Sequence, residues 1–128
     1  NKTFLTDVIG RFKEAGIRTS IFVDPSAEMV RGAKECGTDR VELYTESYAS
    51  GYDENREEAI KPFIDAAVAA RDLGLGLNAG HDLSLVNLAY FHRMIPWTDE
   101  VSIGHAIICD ALYIGLKNTI EAYLQCLK

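Results

Sequence analysis

The chain has 128 residues, of which 48% are hydrophobic and 25% are charged, and its formal net charge is −6. This composition is typical of a globular domain that buries a core, and it argues against disorder. The acidic balance excludes a broad nucleic-acid or anionic-membrane surface, because either needs clustered lysine and arginine. No run reaches the roughly 20 apolar residues of a membrane span, and no signal-peptide core is present. Three cysteines without a CxxC pair suit reduced thiols. We therefore expect a cytoplasmic protein with no membrane and no nucleic-acid partner.

Helical and strand-like segments alternate along the chain. Residues 1–15 place apolar side chains at helical spacing and predict a helix. Helical stretches then end at a glycine in the C′ position, where a positive φ is needed. A short, mainly apolar segment typical of a strand follows each such glycine. With one further run near the end of the chain, the predicted strands are 17–23, 39–45, 75–80 and 101–104.

Capping residues and prolines predict where the intervening helices begin. Asp24 followed by Pro25 predicts a helix N-cap and first turn, with the helix ending at Cys36. A longer amphipathic segment follows Asp53, and Pro62 predicts that its helix begins near that proline or kinks there.

The last helices follow the same rules. Ser84 predicts the cap of a helix that Pro96 ends, and a terminal helix carries an apolar stripe of Leu116, Ile120, Leu124 and Leu127. Helices between successive strands require parallel pairing with right-handed crossovers. The chain is thus predicted to be α/β with about four parallel strand–helix units. Two architectures remain open at this point: a small doubly wound sheet, or half of a (β/α)8 barrel of about 250 residues.

Two histidines each follow a glycine at the end of a predicted strand: His81 after Gly80, and His105 after Gly104. The carboxyl ends of parallel strands gather at one edge, so both imidazoles are expected to face one cleft. The alternative is a Gly-His turn that only satisfies loop hydrogen bonds. Gly104 also begins a helix, where backbone N–H groups bind phosphate, unless the glycine serves only close packing.

Glu42 interrupts an apolar strand, and an unpaired buried carboxylate is costly. A salt bridge to a nearby arginine is one explanation. The other is a catalytic carboxylate that stabilises a cationic intermediate. No lysine lies on a predicted strand, and no metal-ligand spacing, GxGxxG or GxxxxGK[ST] motif occurs. Acid–base and electrostatic catalysis on a phosphorylated small molecule is the remaining interpretation.

Three consecutive motifs carry a family resemblance: VELYT (41–45), LNAGHDL (77–83) and VSIGHAII (101–108). In order, strand context and spacing they resemble the pyridoxine 5′-phosphate synthase family, and the resemblance covers essentially all 128 residues. It implies the C-terminal half of a (β/α)8 TIM barrel, so that residues 1–128 form a single partial domain. Two segments depart from the pattern: Tyr44-Thr45-Glu46 stands where many members have His-Thr-Gly, and Asp82 stands where many have glycine.

The resemblance implies a transferase that condenses 3-amino-2-oxopropyl phosphate with 1-deoxy-D-xylulose 5-phosphate, giving pyridoxine 5′-phosphate, phosphate and water. It implies no metal and no organic cofactor. By motif, His81 resembles the proton donor and Glu42 the residue that stabilises the transition state. Asp82, Gly104 and His105 resemble contacts to 3-amino-2-oxopropyl phosphate.

The family also implies a homo-oligomer, a homo-octamer, to which the terminal apolar stripe would contribute unless it packs on its own barrel. A half barrel has open sheet edges, so the 128 residues alone are expected to be inactive. Two other functions stay open: another phosphate-binding barrel, such as an isomerase or epimerase, and a non-catalytic phosphometabolite-binding module.

Overall fold

Strands and helices alternate as expected in the computed structural model, which describes residues 1–128. The strands are β1 (Ser20–Val23), β2 (Arg40–Tyr44), β3 (Gly76–Gly80) and β4 (Glu100–Ser102). The helices are α1 (Lys2–Glu14), α2 (Ala27–Glu35), α3 (Glu46–Asp72), α4 (Leu88–Met94), α5 (His105–Ile114) and α6 (Leu116–Gln125). All four predicted strands are present, each shorter than its apolar run.

The strands form one parallel sheet in the order β1-β2-β3-β4. In this register Glu42 lies between Phe22 and Asn78, and Tyr44 lies beside Gly80. Successive side chains of a strand point to opposite faces. On β2, Val41 and Leu43 are fully buried against the helices, while Arg40, Glu42 and Tyr44 face the other side.

The helix-facing side of the sheet carries the hydrophobic core. Apolar side chains of α2, α3 and α4 cover the buried strand residues, and Phe63, Phe91 and Tyr48 meet edge to face among them. Burial of this kind is the main stabilising term, at about 25 cal/mol per Å² of apolar surface. The core therefore fixes the sheet and leaves its opposite face to polar residues.

That opposite face is concave. Neighbouring strands lie about 4.8 Å apart, and side chains stand roughly perpendicular to the sheet. In a flat four-stranded sheet, side chains on the first strand would therefore not contact those on the fourth. Here Arg18, just before β1, donates to Glu100 at the start of β4 with an Nη2–Oε1 distance of 2.9 Å. The contact indicates that the sheet curves as a barrel wall does.

Three predicted helix starts are wrong. The helix expected from Pro25 begins at Ala27, because Asp24 forms a tight turn in which its carbonyl accepts from the Ser26 N–H at 2.7 Å. The segment expected after Asp53 is helical, but its helix does not begin near Pro62: a helical stretch follows Asn55 and continues from an earlier one that begins at Glu46.

The predicted break at Pro62 is absent, and the helix kinks instead at Asn55, whose backbone is extended. The Asn55 side chain caps the following turn by accepting from the Glu58 N–H at 3.2 Å. Pro62 is exposed, so water can reach the carbonyl of Glu58 that it leaves without a donor. The helix predicted to be capped by Ser84 begins at Leu88, after a turn in which the Ser84 carbonyl accepts from the Leu88 N–H.

The C-terminal helices expose much apolar surface. No residue of α5 is buried, and Leu112 is 81% exposed. Three members of the predicted terminal stripe, Leu116, Ile120 and Leu124, are also exposed, because α6 packs inward through Thr119 and Tyr123 instead. These three residues therefore do not pack on the chain's own sheet, whereas Leu127, the fourth member of the stripe, is partly buried against the core. None of the helices combines the length and the apolar composition that crossing a bilayer requires.

Candidate active site

A cavity of about 550 Å³ lies at the carboxyl ends of the strands, on the concave side. It brings together four of the five residues singled out from the sequence: Glu42, His81, Gly104 and His105. Asp82 does not line it. The remaining lining residues are Phe22, Ser102 and Ile103. The expectation that both strand-end histidines face one cleft is confirmed.

Glu42 projects into this cavity from the middle of β2 and is half-buried. The neighbouring arginine does not neutralise it, because the Arg40 guanidinium binds Asp99 at 3.2 Å and the Asn78 side-chain oxygen at 3.0 Å. The salt bridge considered for Glu42 is therefore not formed, and its carboxylate engages no cation of the chain. A half-buried carboxylate without a partner favours a positively charged ligand or intermediate beside it.

Gly80 makes room for that carboxylate. A Cβ at this position would lie 2.5 Å from the Glu42 Oε1 atom and 2.9 Å from the Ser102 carbonyl oxygen. Both distances are shorter than real Cβ contacts, so any side chain at Gly80 displaces Glu42 or β4. The glycine thus sets the position of Glu42 through the space that it leaves open.

His81 follows β3 directly and holds a strained backbone. Its φ of 100° makes it the chain's one non-glycine residue with a positive φ. Such a conformation costs about 1–3 kcal/mol and persists only where its surroundings enforce it. The His81 N–H donates to the Ser102 carbonyl at 3.2 Å, and the imidazole packs edge-on against Tyr44 with ring centroids 5.2 Å apart. In this backbone conformation, the imidazole lines the cavity.

The Asp82 carboxylate turns toward His81. Its Oδ2 atom lies 2.7 Å from the His81 Nδ1 atom, and the Asp82 N–H donates to the Thr45 hydroxyl at 3.3 Å. A carboxylate on one imidazole nitrogen orients the ring and leaves the other nitrogen for chemistry. The structure thus engages the carboxylate and the N–H of Asp82 within the chain, and its predicted contact with a substrate remains a prediction.

Gly104 stands at the N-cap of α5, and His105 is the first helical residue. The first N–H groups of a helix have no intrahelical partner, and they attract anions. A Cβ at Gly104 would meet no atom within 4 Å. Close packing therefore does not require this glycine, which disfavours the packing explanation and leaves free space for a ligand.

Buried polar side chains that the sequence interpretation did not single out hold the loop after β3. Asn87 accepts from the Ser84 N–H at 2.9 Å and donates to the Asp82 carbonyl at 3.2 Å. The Tyr48 hydroxyl donates to the Asn87 carbonyl at 2.7 Å, and burial raises the pKa of this phenol. Thr45, fully buried, bonds to Gly80 and Asp82. A polar residue at the end of the predicted apolar strand 39–45 was the available signal for Thr45.

The amino ends of the strands carry ion pairs. Asp39 accepts from the Thr19 N–H at 2.9 Å and pairs with Lys13 at 2.9 Å. These contacts, the Thr19 backbone bond first and Lys13 second, lower the pKa of Asp39 from 3.8 to about 2. Because the amino face of such folds serves stability and the carboxyl face serves activity, the cavity with Glu42 and His81 is the candidate active site.

Comparisons with known proteins agree on one family. The family model described as "Pyridoxal phosphate biosynthesis protein PdxJ" matches residues 1–128. The chain is 62% identical to a pyridoxine 5'-phosphate synthase of Cytophaga hutchinsonii, 61% identical to one of Bacteroides fragilis and 63% identical to one of Phocaeicola vulgatus. Each match covers 100% of this chain and 54% of the relative.

The chain thus spans about half the length of the curated relatives it matches. Four parallel strand–helix units with a curved sheet, in a chain half as long as its relatives, confirm the predicted half of a (β/α)8 barrel over a doubly wound sheet. On this match over its whole length, the chain belongs to the PdxJ family of pyridoxal phosphate biosynthesis proteins.

Proposed function

We propose that the whole protein is a pyridoxine 5′-phosphate synthase. It would condense 3-amino-2-oxopropyl phosphate with 1-deoxy-D-xylulose 5-phosphate, releasing phosphate and water, and so act as a transferase. One observation carries this proposal: the unpaired Glu42 carboxylate shares a cavity with His81 and with the N-terminus of α5. Such a condensation needs an anionic group, an acid–base group and a phosphate-binding element.

His81 acts as the general acid in this proposal. Ring closure expels oxygen leaving groups, and each has to receive a proton. With Nδ1 held by Asp82, the imidazole donates this proton from its Nε2 atom. Asp82 stabilises the imidazolium and restores the same ring orientation after each proton transfer.

Glu42 acts by charge. Amine condensation with a ketone passes through a cationic imine, and a nearby carboxylate that has no other partner stabilises this cation. The backbone N–H groups of Gly104 and His105, at the positive end of α5, would hold the phosphate of 3-amino-2-oxopropyl phosphate. The absence of a metal or organic cofactor remains a prediction.

A homo-oligomer also belongs to the proposal. The exposed apolar residues of α5 and α6 form a surface that another subunit would cover, and Leu112 and Tyr113 are its most exposed members, at 81% and 89%. The free cysteines suit a reducing cytoplasm. Light scattering of the whole protein measures the oligomeric state directly.

The test of the mechanism is the substitution His81→Asn in the whole protein. Asparagine tolerates a positive φ, so the loop is expected to keep its shape while the acid is lost. Turnover should fall on the order of 10²–10⁴-fold, as for other positioned acids, with the KM of each substrate within a few-fold.

His92→Asn is the matched control, because His92 lies on α4 outside the cavity. It should leave turnover close to that of the unmodified protein. Equal effects of the two substitutions, or a His81→Asn protein that fails only in substrate binding, would overturn the assignment of His81.

A further inference from the structure

One hydroxyl group, that of Thr45, contacts the backbone on both sides of His81. Thr45 follows β2 and is fully buried, so its hydroxyl has no access to water. It donates to the Gly80 carbonyl at 2.8 Å and accepts from the Asp82 N–H at 3.3 Å. This pair of bonds uses the donor and one acceptor position of the hydroxyl together.

These two bonds fix the two peptide planes that meet at the Cα atom of His81. The Gly80 carbonyl belongs to the plane before His81, and the Asp82 N–H belongs to the plane after it. The angle between the two planes is set by φ and ψ of the residue between them. A single hydroxyl bonded to both planes therefore restrains the backbone angles of His81.

The restraint matters because the conformation of His81 is unfavourable for a residue with a Cβ. Its φ of 100° needs support from the surroundings. The Thr45 N–H donates to the same Gly80 carbonyl at 3.1 Å, and the His81 N–H donates to Ser102 at 3.2 Å, so the first plane is held in several ways. For the second plane, the Thr45 hydroxyl is the acceptor at Asp82.

We propose that Thr45 is a positioning residue for the reaction: its buried hydroxyl holds His81 in the strained conformation that aims the imidazole into the cavity. This inference rests on the proposed synthase function for its kinetic consequence. Its structural consequence, the φ of His81, is independent of which reaction the protein catalyses.

The test uses two substitutions in the whole protein. Thr45→Val keeps the shape and removes the hydroxyl, whereas Thr45→Ser keeps the hydroxyl. Thr45→Val should lower kcat by about 10–10²-fold with little change in the KM of either phosphorylated substrate, since small misplacements of a catalytic group have effects of this size. Thr45→Ser should stay within about 3-fold of the unmodified protein, because its hydroxyl can restore both bonds.

Thr119→Val is the matched control. Thr119 is also fully buried, and its hydroxyl donates to the Gly115 carbonyl at 3.0 Å in α6, away from the cavity. Its substitution removes a comparable bond and should lower stability without lowering kcat. If Thr45→Val does not fold, Thr45→Cys, of similar size and with only a weak donor, replaces it.

A double-substitution cycle tests whether Thr45 acts through His81. In a His81→Asn background, Thr45→Val should lower kcat no further, because the group that it positions is gone. Equal fold-losses in both backgrounds would overturn the proposal, as would an unchanged kcat in Thr45→Val.

A crystal structure of Thr45→Val separates this proposal from the proposed function. The φ of His81 should leave the region near 100° in Thr45→Val and keep it in Thr45→Ser. Retention of that φ in Thr45→Val would overturn the positioning role even in an active synthase. An unmodified protein that makes no pyridoxine 5′-phosphate would overturn the proposed function, and the φ measurement would still decide what the hydroxyl holds.

Discussion

Replacing Gly80 with alanine tests whether open space at this glycine positions the Glu42 carboxylate, to which we assign a catalytic role in the proposed function. The new Cβ would lie 2.9 Å from the Ser102 carbonyl oxygen, whereas ordinary contacts begin near 3.4 Å, so β4 has to move by about 0.5 Å. Glu42, whose Oε1 atom would lie 2.5 Å away, has to move further, and its side chain is free to do so because no partner holds it.

The stability cost comes from the backbone contact. Overpacking of this kind costs about 1–3 kcal/mol, and the lower chain entropy of alanine in the unfolded state returns about 0.4–1 kcal/mol. We expect a net loss of about 1 kcal/mol in the free energy of unfolding, within a range of about 0–2.6 kcal/mol. Turnover should fall about 10²-fold, the effect of misplacing a catalytic group by about 1 Å.

The assay compares Gly80→Ala with Gly76→Ala in the whole protein, by urea denaturation and by kcat. Gly76 lies on the same strand and the same face, and a Cβ there would be 2.7 Å from the Arg40 Cγ atom, at the end of the sheet away from the cavity. Gly76→Ala should therefore lower stability and keep turnover within a few-fold. An unchanged kcat in Gly80→Ala, or an equal loss in Gly76→Ala, would refute the role assigned to this space.

Two further substitutions test the parts of the fold that support the site. Tyr48→Phe removes the bond to the Asn87 carbonyl and should lower the free energy of unfolding by about 1 kcal/mol, measured by urea denaturation; no loss would show that the bond contributes nothing. Asp39→Asn should lower stability at neutral pH, because the folded pKa of about 2 lies below the ordinary 3.8 and the carboxylate form favours folding above that value. The difference in the free energy of unfolding between Asp39→Asn and the unmodified protein should disappear as pH falls from about 4 to 2. A difference that does not change with pH would contradict the role given to the contacts of Asp39 with Lys13 and Thr19.

The strands were predictable because a short apolar segment that follows a helix-ending glycine fits few secondary structures other than a buried strand. The glycines that close α1, α2 and α3, at positions 16, 37 and 74, all adopt the positive φ expected of a C′ residue. The spacing of the apolar residues and the positions of these glycines were thus sufficient to predict the order of the elements. They also placed both strand-end histidines at one cavity.

Helix starts were less predictable, since several nearby residues can cap a helix. Asp24 and Ser26 both suit a cap, and only the turn between them decides that the helix begins at Ala27. Pro62 was a misleading signal, because an exposed proline can be accommodated while Asn55 breaks the helix. These choices depend on tertiary solvent exposure, which local sequence does not contain.

Contacts across strands could not be predicted from the sequence. Arg40 binds Asp99 and Asn78 and leaves Glu42 unpaired. These contacts follow from the register of β2, β3 and β4. The contacts of the Thr45 hydroxyl around His81 likewise join residues more than thirty positions apart. The sequence singled out the candidate groups, whereas the structure shows which residues hold them.

Product formation by the whole protein tests the central claim most directly. With 3-amino-2-oxopropyl phosphate and 1-deoxy-D-xylulose 5-phosphate present together, we predict one pyridoxine 5′-phosphate and one inorganic phosphate per turnover, and almost none of either from a Glu42→Gln protein. Absence of pyridoxine 5′-phosphate from the unmodified protein, or equal formation by Glu42→Gln, would contradict the account.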